Sequence, residues 1–263
     1  MMLKYITTVT LFSVAFLLPV IVPTVVPSSD FGGSAFAEEE EKKKEPKYKN
    51  VKTRKRQSVG SKCGKALEKV QVVLEEENWP KSMEMLNDIE ASSKTCKSAY
   101  EQTQVWKFKG YVYYSLDDFP GAIRSYKQVI NGEGTPEDLR LDTRYTLAQL
   151  FTAEERYADA AEQLEIWIEE STIVSNAARG LLAQIYYQLD RKEDALTMLE
   201  LAINDVESKG KLPKERWWSL QRVLYYEKND YNRVIEILEK LVKHYPKWTF
   251  WAQLGGMYDA KER

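Results

Sequence analysis

Few residues of this sequence have side chains suited to acid–base, nucleophilic or metal chemistry. The 263 residues include one histidine, His244, and two cysteines. His244 lies near the end of a predicted helix, with no Ser or Cys motif that would use an imidazole as a general base. One imidazole and two thiols also argue against a His/Cys metal site. Because the sequence has neither a Gly-rich phosphate loop nor a His-Glu-x-x-His motif, we predict no enzymatic activity, no metal site and no cofactor.

The charged residues do not indicate a charged ligand either. Lys and Arg total 38 and Asp and Glu total 40, so bulk charge gives no reason to expect nucleic-acid binding. The carboxylates, such as those of Glu75, Glu76 and Glu154, follow the spacing of solvent-exposed helix faces. No pair of them occurs in a context that would raise a pKa. We therefore expect no small-molecule substrate, and a protein or an extended peptide as the partner.

Tyrosine is the residue type in this sequence that best suits a binding surface. Six of the 16 tyrosines form three adjacent pairs, or doublets, at 113–114, 186–187 and 225–226. The first member of each doublet falls on a core position, and the second points one residue round its helix, toward a concave surface. The predicted groove comprises Tyr111, Tyr114, Tyr145, Gln149, Gln184, Tyr187, Gln188 and Tyr226. Such side chains offer stacking area and hydrogen bonds to an extended peptide. The alternative is that these aromatic residues only fill space between helices.

The two cysteines are placed where a disulfide could form. Cys63 comes early in the first predicted helix, and Cys96 comes just after the second. These two ends meet in an antiparallel helix pair, and an exported protein enters an oxidising compartment where such a bond persists. We predict a Cys63–Cys96 disulfide, with two independent thiols as the alternative.

The N-terminal segment 1–37 has the pattern of a signal peptide. Lys4 precedes an apolar stretch over 6–26, and an Ala-x-Ala site ends at Ala37. This combination predicts export with cleavage after Ala37. A retained membrane anchor is the alternative, which three prolines in and beside the stretch disfavour. Membrane contact is expected only through this segment or through the basic tail that follows it.

Residues 38–56 form a charged segment with almost no apolar content. They carry nine basic and five acidic residues, a net charge of +4. We interpret the segment as a disordered, solvated linker. The alternative is a basic arm that touches an acidic partner or lipid headgroups.

From residue 57 to residue 263, apolar residues recur at helical spacings of three and four within a longer repeat. The small position that marks each repeat falls at 70, 110, 148, 183, 222 and 255, although Val and Arg stand at 70 and 222. The last unit begins Trp251-x2-Leu254-Gly255-x2-Tyr258, which matches the first half of the tetratricopeptide pattern. We predict an all-α solenoid of tetratricopeptide type, with about five and a half helix-turn-helix repeats. The final half-repeat is either a capping helix or the mark of a shortened chain.

Four segments between about residue 53 and the end of the sequence resemble a more specific group of proteins. They are 53–60, 144–150, 214–218 and 245–258. Their sequences are similar to those of periplasmic tetratricopeptide proteins associated with TonB systems in Gram-negative bacteria. The resemblance implies a periplasmic location and an accessory role in energy transfer from the inner membrane to outer-membrane receptors. It supplies no set of binding residues.

Two functional hypotheses follow, both non-enzymatic. The first is a periplasmic adaptor that holds TonB-system components together through its groove. The second is a general cell-envelope assembly scaffold that binds other exported proteins. A hydrolase or transferase would need a catalytic domain, for which no unassigned segment is long enough.

Overall fold

The computed structural model describes residues 46–49, 57–92 and 94–261. Regular structure in these residues is helical, apart from one isolated β-bridge between Tyr48 and Ser171. Eleven α-helices follow one another in the described residues: α1 (Ser61–Glu75), α2 (Trp79–Ala91), α3 (Ala99–Ser115), α4 (Phe119–Asn131), α5 (Glu137–Ala153), α6 (Tyr157–Glu170), α7 (Asn176–Gln188), α8 (Lys192–Ser208), α9 (Glu215–Glu227), α10 (Tyr231–His244) and α11 (Trp248–Lys261).

Consecutive helices pair into hairpins, and the hairpins stack. Each odd-numbered helix up to α9 packs against the even-numbered helix that follows it, and each even-numbered helix packs against the next odd-numbered one. The described residues thus hold five hairpins and one further helix, α11. This arrangement confirms the prediction of an all-α solenoid of about five and a half repeats.

A small residue in the middle of α3, α5 and α7 allows the two helices of a hairpin to approach closely. A Cβ atom at Gly110 would lie 2.7 Å from the ring of Tyr126 on the partner helix. Ala148 and Ala183, at the equivalent positions, are fully buried. Arg222 departs from the pattern in α9: it is half-buried, its Nε has no hydrogen-bond partner among the described residues, and burial lowers the pKa of its guanidinium.

A tyrosine near the end of an odd helix bonds to the even helix of the preceding hairpin. The hydroxyl donates to a glutamate that recurs at the same repeat position in α6, α8 and α10. The three bonds join Tyr186 to Glu165 (2.8 Å), Tyr225 to Glu200 (2.5 Å) and Tyr258 to Glu239 (2.5 Å). Burial, together with the neighbouring carboxylate, raises the pKa of Tyr186 and of Tyr225 to about 12. These bonds fix the register between successive units.

The turn within each hairpin has the same backbone conformation. One non-glycine residue per turn has a φ angle of 55–59°, and the next residue donates its N–H to the carbonyl five positions earlier. This is the Schellman arrangement that ends many helices, usually with glycine at the left-handed position. The left-handed residues are Glu77, Asp117, Glu155, Asp190 and Asn229. Their intervals of 40, 38, 35 and 39 residues equal those of the first five small positions.

The first hairpin and one side of α3 form a hydrophobic cluster that is separate from the main core. Cys63 and Cys96 form a disulfide inside it, with Cα atoms 4.9 Å apart. The bond joins the start of α1 to the loop that follows α2. Its buried neighbours include Leu67, Val70, Leu86 and Val105.

Most of the predicted N-terminal regions lie outside the described residues. These are the signal peptide 1–37 and positions 38–45 and 50–56 of the predicted linker. Residues 46–49 differ from the linker prediction, because Tyr48 is 2% exposed and packs against the array. None of the described helices has the length and apolar content needed to cross a membrane.

We expect Glu155→Gly to stabilise the chain, because glycine adopts the left-handed turn between α5 and α6 without a steric cost at Cβ. The free energy of unfolding should rise by about 0.5–1 kcal/mol. Glu154→Gly is the matched control, since Glu154 is also exposed but has a φ angle of −86°. Thermal unfolding followed by circular dichroism should give a higher midpoint for the first variant and a lower one for the second. Equal shifts in both would contradict the account of the turn.

Removing the disulfide should destabilise the first hairpin. The bond closes a loop between residues 33 positions apart, for which the chain-entropy estimate is about 3–4 kcal/mol. We expect Cys63→Ala/Cys96→Ala to lower the urea midpoint and to expose α1 and α2 to proteolysis first. The unmodified protein in reductant is the control and should show the same change. An unchanged midpoint in both samples would contradict a stabilising disulfide.

Candidate functional site

The odd-numbered helices approach one another along one side of the array. The Tyr187 hydroxyl on α7 donates to Glu227 on α9 over 3.2 Å. Asp142 on α5 acts electrostatically on Lys107 of α3. We call this surface the odd-helix face and define it by the eight predicted groove residues together with Lys107, Asp142 and Arg216.

Solvent reaches every one of the eight predicted groove residues. Tyr226 is 52% exposed, Gln188 is also exposed, and the other six are half-buried. The second tyrosine of each doublet therefore remains accessible to solvent, although Tyr114 and Tyr187 also pack against the core. Of the first members, Tyr186 is buried and the other two are half-buried. The part that these residues play in binding stays a prediction.

The three second tyrosines lie at the end of the odd-helix face where the hairpin turns run. Tyr114 packs against Phe119 and Tyr226 against Tyr231, with ring centroids 5.8 Å apart in both pairs. Phe119 and Tyr231 are the first residues of their even helices. Burial raises the pKa of Tyr114 and of Tyr187, so both hydroxyls remain protonated hydrogen-bond donors at neutral pH.

Tyr145 and Tyr111 occupy different environments from those three tyrosines. Tyr145 comes seven positions earlier in its repeat than Tyr114 does in its own, which is about 10 Å along a helix axis. Its ring lies 4.9 Å from that of Trp167 on α6. Burial raises the pKa of Tyr145, and the positive charge of Arg216 on α9 opposes the rise. The ring of Tyr111 packs edge-on against that of Trp79, with ring centroids 5.9 Å apart. Part of its surface is therefore in contact with the first hairpin.

The chain's own segment 46–49 lies at the end of the face that carries Tyr145. It pairs in an extended conformation with the end of α6 and the loop that follows it. The Lys49 N–H donates to the carbonyl of Glu170 over 2.8 Å, and the Thr172 N–H donates to the carbonyl of Lys47 over 3.1 Å. These two bonds bracket the β-bridge between Tyr48 and Ser171.

The Tyr48 side chain reaches between α5 and α6. Its hydroxyl donates to Asp142 and accepts a hydrogen bond of 3.1 Å from the indole N–H of Trp167. Trp167 is itself buried and stacks on Tyr145. We call the set Asp142, Tyr145, Trp167 and Ser171 the Tyr48 site.

The electrostatics of the Tyr48 site favour a neutral phenol and flanking cations. Burial and the neighbouring Asp142 raise the pKa of Tyr48, so the hydroxyl stays protonated and donates a hydrogen bond to the carboxylate. The Lys47 ammonium lies 2.5 Å from Asp142, and that of Lys49 donates to the carbonyl of Glu169 over 2.9 Å. One tyrosine and its two lysine neighbours thus bond to Asp142, to the Trp167 indole and to the Glu169 carbonyl.

Sequence reasoning missed the Tyr48 site because the charge of the surrounding segment dominated its interpretation. One signal was present, since Tyr48 is the single aromatic residue in 38–56. A lone tyrosine in a charged run is expected to find a partner when the rest of the chain offers one. Its partners come from positions about 94 to 123 residues away, which no local pattern could indicate.

The residues considered for chemistry lie apart from this face. His244 is exposed at the end of α10, with its ring 5.8 Å from that of Trp218. In the part of the chain that the structure describes, no group of three or more His, Cys, Asp or Glu residues is placed to hold a metal ion.

Neither a protein-family model nor a curated protein matches this sequence. Solved structures do resemble the array. They include MamA from Desulfovibrio magneticus RS-1, with a TM-score of 0.54 and 15% identity over 71% of this chain and 96% of that one. They also include YrrB, described as a tetratricopeptide protein with an unusual peptide-binding site, with a TM-score of 0.56 and 13% identity over 75% of this chain and 91% of that one. A tetratricopeptide repeat protein from Parabacteroides merdae has a TM-score of 0.56 and 15% identity over 76% of this chain and 73% of that one.

The fold is a tetratricopeptide-repeat solenoid. The likeness to these structures covers 71–76% of the chain. At this level of identity the comparison establishes the fold and carries over no function.

Proposed function

We propose that this chain is a non-enzymatic periplasmic adaptor, which binds other proteins through its odd-helix face and assists TonB-dependent energy transfer to outer-membrane receptors. The observation that carries the proposal is the accessible set of second tyrosines, Tyr114, Tyr187 and Tyr226, on one face of a tetratricopeptide-repeat array. A repeat array stabilises itself through contacts between neighbours, which leaves such a face available to a partner.

The chemistry of the face suits an extended polypeptide. Tyrosine rings provide apolar contact area, and their protonated hydroxyls bond to backbone carbonyls. Gln149 and Gln184 lie on the same face and can both donate and accept hydrogen bonds. YrrB has this fold and is described as having a peptide-binding site, which is a precedent for peptide binding by such an array.

Two observations support a location outside the cytoplasm. The sequence of 1–37 has the pattern of a signal peptide. The Cys63–Cys96 disulfide is a bond that persists in oxidising compartments such as the periplasm and is rare in the cytosol. The TonB association rests on the sequence resemblance of the four segments over 53–258.

The proposal can be tested by crosslinking in the periplasm of the native host. We expect the unmodified chain to recover proteins of the TonB system. Tyr114→Ala/Tyr187→Ala/Tyr226→Ala should reduce that recovery by about tenfold or more, because interface tyrosines often contribute over 1 kcal/mol each. Circular dichroism should show an unchanged fold in the variant, since the three side chains are at most half-buried.

The matched control replaces two exposed apolar residues that lie off this face, Leu201→Ala/Leu212→Ala, whose side chains are 47% and 46% exposed. This variant should capture partners as the unmodified chain does. Recovery of other exported proteins without any TonB component would instead support the general envelope scaffold. Full capture by the triple tyrosine variant would contradict the assignment of the binding face.

A further inference from the structure

Residues 46–49 bind the array in the way that an extended peptide from another protein would bind it. Backbone hydrogen bonds at Lys47 and Lys49 pair the segment with the edge formed by Glu170–Thr172. One side chain, that of Tyr48, enters the space between α5 and α6. Backbone pairing for affinity, with a single side-chain anchor for specificity, is a recurring mode of peptide recognition.

The Tyr48 site selects for a hydroxyl on the anchoring ring. Asp142 accepts a hydrogen bond from that hydroxyl, and the Trp167 indole N–H donates one to its oxygen. A phenylalanine would leave the buried Trp167 indole without this acceptor, which is costly. The exposed Asp142 would lose one of its two donors and keep Lys47. The anchor is therefore tyrosine rather than an aromatic residue in general.

The charges around the site select for basic neighbours of that tyrosine. Lys47 pairs with Asp142, and Lys49 donates to the carbonyl of Glu169 near the C-terminal end of α6. The end of a helix carries partial negative charge, which favours a cation there. The site thus fits a segment in which a tyrosine stands between two lysines.

The contacts that keep residues 46–49 on the array are few enough for another segment to replace them. The segment consists of four residues with one buried ring, two backbone hydrogen bonds and two exposed ammonium groups, one paired with Asp142 and one bonded to the Glu169 carbonyl. Such exposed polar contacts contribute little. The covalent connection of residues 46–49 to the array offsets this weak binding, because a tethered segment has an effective concentration of about 1 mM. A partner present at sufficient concentration can replace such an occupant.

We propose that the Tyr48 site binds an extended segment of a partner protein with a tyrosine between lysines, and that residues 46–49 occupy the site as a built-in competitor until that partner binds. The inference rests on the proposed adaptor function and names the chemistry of one of its partners. It also adds a binding position to the odd-helix face, at the opposite end from Tyr114, Tyr187 and Tyr226.

The test measures binding of a fluorescent synthetic peptide, with the sequence of positions 44–52, to the full chain. Tyr48→Ala should bind the peptide about tenfold more tightly than the unmodified chain, because a competitor at about 1 mM with an affinity near 0.1 mM is removed. Leu201→Ala is the matched control and should bind as weakly as the unmodified chain. Equal, weak binding by Tyr48→Ala and the unmodified chain would overturn the proposal.

The specificity of the site is tested on the Tyr48→Ala background. Adding Asp142→Ala should abolish the gain in affinity, and so should a peptide with phenylalanine in place of the central tyrosine. Retention of the tenfold gain in both cases would contradict recognition of the hydroxyl.

A second variant covers the case in which Tyr48→Ala does not fold. Lys47→Ala/Lys49→Ala changes only exposed side chains, weakens the built-in competitor and should increase peptide affinity about two- to fivefold. No increase in a folded protein would overturn the proposal. Dimerisation that depends on Tyr48 would also overturn it, because the segment would then serve a second copy of the chain. Neither result would affect the adaptor proposal, whose test reads capture of envelope proteins.

Discussion

No hairpin of this chain can bury its apolar surface alone, so each odd helix must pack against the even helix before it. The bonds from Tyr186 to Glu165 and from Tyr225 to Glu200 join successive units at the same repeat position. Because this contact recurs with the repeat, one unit sets the position of the next. The odd-helix face exists only as a product of that stacking, and its side chains come together from several units.

The stacking also gives the two tyrosines of a doublet different environments. In two doublets the first tyrosine, Tyr186 or Tyr225, bonds to the preceding hairpin. The second is turned about 100° round the helix and is more exposed than the first in these two doublets, although Tyr187 still packs against the core. This greater exposure is the physical reason to assign binding to Tyr187 and Tyr226 rather than to their neighbours.

Repeat spacing was sufficient to predict the fold. The small positions at 110, 148 and 183 recur at helical-hairpin intervals, and the observed helices follow the same register. The turns were harder to foresee, because residues such as Glu155 adopt a left-handed conformation that sequence reasoning assigns to glycine. Neighbouring helices impose that conformation, since the Arg156 N–H must reach the Phe151 carbonyl for the hairpin to close.

The candidate site could be predicted only in part. Helical offsets placed Tyr114, Tyr187 and Tyr226 on an accessible surface, because such offsets depend on local geometry alone. The docking of Tyr48 depends instead on Asp142 and Trp167, which the solenoid brings together from two helices. The charge of 38–56 gave a reasonable reason to expect a solvated segment, and a single buried ring was enough to alter the outcome for 46–49.

Hydrogen–deuterium exchange of the full chain, with and without an envelope protein recovered by crosslinking, addresses the central claim most directly. If partners bind the face formed by the odd helices, added partner should slow amide exchange in α3, α5, α7 and α9 and around Ser171. The even helices should exchange as before. Slower exchange confined to α6, α8 and α10 would contradict the account, because the partner would then occupy the opposite side of the array.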